Sequence, residues 1–143
     1  MRLITVDSTV FVSAARPTEP GFQESTTFLT WVRQEQPRLF LPTLVLVETA
    51  AALSRTGSRE DISHQYAWSI GQLPNTVLVA LDESLARQAA AFGARHKLRG
   101  ADAVFLATAS IFAAELVTLD KEQLERGARV VQTLTPAGFV ATT

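Results

Sequence analysis

Four acidic residues of this chain are placed where they could do chemistry together. Asp7 follows the apolar run Leu3-Ile4-Thr5-Val6, and Asp120 follows Leu116-Val117-Thr118-Leu119. Asp102 opens the apolar stretch Ala103-Val104-Phe105-Leu106, and Glu48 lies among Leu44, Val45, Ala51 and Ala52. Carboxylates crowded at one place repel, and without a cation some of them take up protons. A divalent cation resolves the repulsion. Oxygen ligands select a hard ion such as Mg²⁺ or Mn²⁺, whose chemistry is hydrolytic: it takes a phosphoryl oxygen, acidifies a water and orients the attack. Rival chemistries lack their residues. The chain has no Cys and two His, His64 and His96, which excludes thiol nucleophiles, Cys-ligated zinc and multi-histidine sites. There is no visible Ser/His/Asp arrangement, no G-x-G-x-x-G and no phosphate-binding P-loop.

The elements that must position these acids are legible in outline. Residues 3–6 read as a buried strand that ends at the helix-start signature Asp7-Ser8-Thr9, and a short helix follows through Ala14. Residues 16–21, with Pro17, Pro20 and Gly21, read as a loop. A helix is expected over 22–36 and a second strand over 38–41, closed by Pro42. Thr43 is then expected to cap a helix over 44–55, although Val45 and Val47 locally favour a strand. Further helices are expected over 59–73, over 83–96 with Asp82 as its cap, over 101–114 and over 120–126. The helix over 101–114 is apolar on nearly every side and therefore central. Strands are expected over 76–81, 116–119 and 129–132, and the tail from Thr135 has no clear assignment. Strands alternating with helices imply a three-layer α/β/α domain spanning 1–143, with a mainly parallel sheet of about five strands.

In such a sheet, ligands sit at the carboxyl ends of the strands. Asp7 and Asp120 both lie there. Asp102 is in the first turn of a helix that feeds the fourth strand, so its N-terminus is at the same edge. Glu48, early in the helix after Pro42, also starts from that side. The topology thus sends four acids to one rim. Each also has a structural reading. Asp7 and Asp120 can cap the helices that follow them, Asp120 with Gln123 at the capping-box position. Asp102 suits a helix dipole. Glu48 has apolar helical neighbours and no basic residue three or four positions away, so it must pair with a distant Arg, hold a metal or be protonated.

The remaining polar residues read as structure. His64 and His96 lie far apart in helical segments, and Trp31, Trp68 and Tyr66 read as core or interface. Arg16, Arg55, Arg59 and Lys97 read as solvated charges. Arg99 and Lys121 adjoin the acids at the active edge and suit phosphate contact. The formal charge of −1 offers no global attraction for a polyanion. If four acids are reserved for a metal, thirteen basic residues face ten acidic ones, a balance of +3. Hydrophobic content of 47% with 19% charged residues excludes disorder for the whole chain. The start reaches Asp7 after too short an apolar run for a signal peptide, and no uncharged stretch is long enough to span a bilayer. A soluble, cytoplasmic protein is expected.

Four segments carry a family resemblance. Val6-Asp7-Ser8-Thr9-Val10-Phe11 resembles the opening motif of the PIN domain, and Val47-Glu48-Thr49-Ala50-Ala51-Ala52-Leu53 is similar to its second acidic motif. Arg99-Gly100-Ala101-Asp102-Ala103-Val104-Phe105-Leu106-Ala107-Thr108-Ala109 resembles the third, and Leu116-Val117-Thr118-Leu119-Asp120 the fourth. Their order and spacing cover nearly all the chain. The resemblance implies a metal-dependent ribonuclease, and with the size it implies the toxin of a VapBC-type toxin–antitoxin pair. Such proteins form homodimers and are inhibited by a small antitoxin whose tail occupies the active-site groove. By this resemblance Asp7, Asp102 and Asp120 hold one Mg²⁺ or Mn²⁺, Glu48 completes the site, and Thr118 or Ser8 orients the acids. A water then attacks an RNA phosphodiester in line, and specificity comes from RNA shape and a short single-stranded sequence. Glu122 is the nearest match to a further acid found in some members and stays outside the set. Two other readings remain open: a non-catalytic PIN-like scaffold that binds RNA or protein, and an α/β domain phosphorylated on Asp7. The apolar faces of 22–36 and 59–73 serve either the core or a dimer interface.

Overall fold

The computed structural model describes all residues, Met1–Thr143. Its sheet has five strands: β1 (Leu3–Val6), β2 (Arg38–Pro42), β3 (Thr76–Val79), β4 (Glu115–Val117) and β5 (Thr133–Leu134). They lie in the order β3-β2-β1-β4-β5, and every neighbouring pair is parallel. The chain therefore steps outward from β1 to β3, then returns to the other side of β1 to lay down β4. Between β1 and β4 the order reverses, and this is where an open parallel sheet leaves a crevice at its carboxyl edge. Ile4, Val6, Leu39, Leu41, Leu116 and Val117 are buried, as strands covered on both faces require.

Helices cover the sheet on both sides. The helix α6 (Gly100–Ile111) packs on β1, β2 and β4, and α5 (Glu83–His96) packs on α6. Residues Asp102 to Ala109 of α6 are all buried, so its nearly all-round apolar sequence matches its central place. The other group comprises α1 (Ser8–Ala14), α2 (Phe22–Glu35), α3 (Leu44–Arg55) and α4 (Glu60–Ile70), linked by contacts of α1 with α2 and α3 and of α3 with α4. The helix α7 (Lys121–Gly127) joins β4 to β5. No helix is long and apolar enough to cross a membrane.

Three expectations need correction. The third strand stops at Val79 rather than 81, because its partner β2 ends at Pro42, opposite Val79, and β3 is an edge strand. The fifth strand lies at Thr133–Leu134, not 129–132. The N–H groups of Val130 and Val131 both donate to the Gly127 carbonyl, at 2.9 and 3.0 Å, so these β-branched residues close a turn and pack on the core instead of pairing. Thr43 does not cap α3. Its backbone is already helical (φ −55°, ψ −23°), which points its hydroxyl away from the free N–H groups. The tail forms a short helix, α8 (Pro136–Val140), with Thr135 capping the Gly138 N–H at 2.9 Å and Pro136 in the first turn.

That last helix anchors one end of the core. Phe139 is fully buried, with ring centroids 5.3 Å from Phe28 and 5.0 Å from Trp31, both edge-on. The Arg2 guanidinium stands 3.8 Å from the Phe139 centroid, steered by its ion pair with Glu115 at 2.7 Å. Phe139→Ala should therefore cost about 3–5 kcal/mol in urea unfolding; a loss under about 1 kcal/mol would show that α8 is not part of the core.

Candidate functional site

Asp7 leaves the end of β1 at the crevice, held by its own N–H bonding to the Val117 carbonyl at 2.9 Å. It is 2% exposed. Its position is that of an N-cap to α1, yet its carboxylate makes no capping bond. Instead Oδ2 accepts from Thr118 Oγ1 at 2.7 Å and from Thr9 Oγ1 at 2.9 Å. Both hydroxyls are themselves bound by backbone donors: Thr118 Oγ1 accepts from the Asp120 N–H at 3.0 Å, and Thr9 Oγ1 from the Leu119 N–H at 3.1 Å. Each threonine proton is thereby committed to Asp7. No protein donor reaches Asp7 Oδ1.

The other acids arrive from separate elements. Asp102, 8% exposed, sits in the first turn of α6. Asp120 caps α7, its Oδ1 accepting from the Gln123 N–H at 3.0 Å. The Gln123 side chain does not complete a capping box. It is fully buried, and its Nε2 donates to the Asp102 carbonyl at 2.9 Å, tying α7 to α6. Glu48, half-buried on α3, accepts from Ser8 Oγ at 3.0 Å. All four acids line one cavity of about 800 Å³ at the strand ends. Glu122 is not among its walls. It pairs with Arg126 at 3.2 Å and stands 4.0 Å from Arg99.

The charges in this cavity are unevenly compensated. Burial raises the Asp7 carboxyl against the two threonine bonds, and the Glu48 and Asp120 charges push the same way. Burial also raises Glu48, while Ser8, Arg55 and Arg99 oppose it. Asp102 is pushed up to about 6, first by burial and then by the charges of Asp7 and Asp120. Arg99, just ahead of α6, offsets part of this: its Nη2 bonds Asp120 Oδ2 at 2.7 Å and its Nε bonds Asp102 Oδ2 at 3.3 Å. No three acidic side chains stand within reach of a common ligand point. Arg99 takes up two of the acids, Asp102 and Asp120. The donor set still fits a hard divalent cation: it is oxygen only, it includes an Asp7 oxygen with no protein donor, and it contains carboxyls raised by burial and by one another's charge. Asp7, Glu48, Asp102 and Asp120 are the residues that could hold it.

Some residues at this site were not legible as such. Thr118 and Ser8 were expected to orient acids, and each bonds one. Thr9 was missed, although its place two residues after Asp7 is where a hydroxyl can turn back to the carboxylate. Glu19, Gly21, Glu24 and Arg55 also line the cavity, and only the tertiary fold brings them there. Lys121 does not line it. Asp82 is a plain cap, accepting from the Leu85 N–H at 2.9 Å. His64 stacks near Trp68, and the Tyr66 hydroxyl donates to the Phe11 carbonyl, so neither serves the site.

Comparison with known proteins identifies the family and the fold. The family model described as "PIN domain" matches residues 4–129. Comparison with curated proteins finds no match. Solved structures are similar over almost the whole chain. FitAcB from Neisseria gonorrhoeae superposes with a TM-score of 0.68 at 18% identity, covering 93% of this chain and 97% of that one. A toxin–antitoxin complex from Klebsiella pneumoniae gives 0.64 at 20% identity, over 95% and 98%. The sarcin–ricin-loop-cleaving toxin VapC20 of Mycobacterium tuberculosis gives 0.71 at 16% identity, over 85% and 93%. At these identities the likeness is one of fold.

The raised carboxyls make the metal-free fold sensitive to pH. A carboxyl whose pKa is raised on folding stabilises the fold fully below its unfolded value, and that stability is lost as pH rises through the folded value. For Asp102 the window runs from 3.8 to about 6. In EDTA, Asp102→Asn should flatten the fall of unfolding free energy across this window. At about pH 7.5 it should leave the protein more stable by about 1 kcal/mol, allowing for solvent screening. An unchanged pH slope in the variant would contradict the assignment.

Proposed function

This chain belongs to the PIN domain family, and we propose that it is a divalent-metal-dependent endoribonuclease, the toxin of a VapBC-type toxin–antitoxin pair. The observation that supports this most is the convergence of Asp7, Glu48, Asp102 and Asp120, drawn from four separate segments, on one strand-end cavity. Mg²⁺ or Mn²⁺, when held by these acids, supplies a Lewis acid for the phosphoryl oxygen and a lowered pKa for the attacking water. The protein's own residues do the rest. Thr9 and Thr118 fix Asp7 Oδ2 and leave Oδ1 free to ligate. Ser8 holds one oxygen of Glu48. Gln123 locks the first turn of α6 and so sets where Asp102 projects. Arg99, with its side chain 69% exposed, is the cation nearest these acids and meets the phosphodiester oxygens of an incoming strand. The chain carries no obvious base-reading motif, so selection of the target is assigned to RNA shape and a short single-stranded sequence.

The toxin part of the reading is supported by the similar structures, of which one is described as a toxin–antitoxin complex and another as a toxin that cleaves the sarcin–ricin loop. A cognate antitoxin, a homodimer and a cytoplasmic location follow from it. A phosphorylated Asp7 is disfavoured: the side chain is 2% exposed and no Lys lines the cavity.

The purified protein should cleave single-stranded RNA in Mg²⁺ or Mn²⁺ and stop in EDTA. Asp7→Asn and Asp102→Asn should each slow cleavage on the order of 100-fold while circular dichroism shows a folded protein. Thr118→Val, which removes a hydrogen bond to Asp7 and the acceptor of the Asp120 N–H, should cost about 10- to 100-fold. Cleavage that survives in folded Asp7→Asn protein would remove the nuclease reading. Growth arrest on expression, relieved by the small protein encoded beside it, would test the toxin reading.

A further inference from the structure

The cavity continues past the four acids. Along α3, Ala51, Ala52 and Arg55 line it together with Glu48. They stand three, four and seven residues beyond Glu48, on one helical face that extends about 10 Å. The two alanines leave the wall between Glu48 and Arg55 without bulky side chains. The far end of this wall is fixed, because Arg16 Nη1 donates to the Thr56 carbonyl at 3.0 Å while its Nε stands 3.2 Å from Glu19 on the opposite side.

Arg55 and Arg99 are the basic residues that line the cavity. Arg99 stands at the acids themselves, paired with Asp102 and Asp120, and would meet phosphate there. Arg55 is exposed and makes no ion pair with any acid. Its charge nevertheless reaches Glu48. A free guanidinium presents a planar fork that matches the oxygens of a phosphate.

We infer that Arg55 binds a backbone phosphate of the RNA strand on one side of the cleaved bond, so that the strand runs along α3 from Glu48 to Arg55. The inference rests on the nuclease reading for the identity of the strand. A basic residue in the last turn of α3 also complements the helix dipole. That structural role alone would alter thermal stability and leave RNA binding untouched, so the two roles separate experimentally.

A short labelled single-stranded oligoribonucleotide can be titrated by fluorescence anisotropy over a series of salt concentrations, in Mn²⁺. An Asp7→Asn background keeps the strand intact. Arg55→Ala should weaken binding about tenfold at low salt and reduce the magnitude of the slope of log affinity against log salt by about 0.7, the loss of one phosphate contact. Arg55→Lys should recover the slope and part of the affinity. Arg87→Ala removes the same charge outside the cavity, where Arg87 pairs with Glu83, and should leave both quantities unchanged. Equal affinity and slope in Arg55→Ala, a loss matched by Arg87→Ala, or no binding by the Asp7→Asn protein would overturn the inference. If Arg55-dependent binding is found while the wild-type protein cleaves no RNA, the phosphate site stands and the nuclease reading falls.

Discussion

A carboxylate buried at the end of the central strand is the constraint on which this molecule turns. Asp7 is 2% exposed, and burial makes its charge costly. Two threonine hydroxyls, each already accepting from the backbone, give their protons to the same oxygen of Asp7. They lower the cost and do not remove it, because hydrogen bonds are neutral and the charges of Glu48 and Asp120 add to the penalty. Both hydroxyls come from segments that meet only because β4 pairs with β1: Thr9 from the start of α1 and Thr118 from the end of β4. The strand order and the charge problem are therefore one feature. Reversing direction beside β1 creates the crevice, and the crevice collects acids from the loops around it.

Arg99 shows how far the protein can compensate without outside help. It pairs with Asp102 and Asp120 from a position that is itself largely exposed. Asp102 remains raised to about 6 despite it. One exposed guanidinium on the solvent side does not neutralise a buried cluster, and the raised carboxyls that remain are what support the proposed cation site.

Much of this was legible in the sequence, and the failures have local causes. The strands β1 and β2 and the helices α2, α3 and α5 follow from apolar spacing and punctuation, and α6 from its all-round apolar face. The four acids could be sent to one rim because parallel sheets put strand ends and helix starts on the same side. What pairing does to a strand could not be read: β3 is cut short where β2 ends at Pro42, and Val130-Val131 close a turn although their residue type favours a strand. The helix α8 did carry a signal, Thr135 followed by Pro136, which is a cap followed by a first-turn proline. The bland reading of Asp7 as a cap fails because Thr9 and Thr118 hold its carboxylate by Oδ2 while no α1 N–H bonds either oxygen, and the Thr118 bond depends on a contact across 111 residues. For Asp120 the capping reading holds on Oδ1, while Oδ2 accepts from Arg99.

Calorimetric titration of the metal-free protein with Mn²⁺ near pH 6, in buffers of different ionisation enthalpy, tests the central claim most directly. A cation that resolves the crowding must displace protons from the raised carboxyls, Asp102 foremost. Saturable binding with proton release that fades toward about pH 8 is the predicted result. Absence of any saturable heat, or binding that releases no protons at pH 6 and is unchanged in Asp102→Asn, would contradict it.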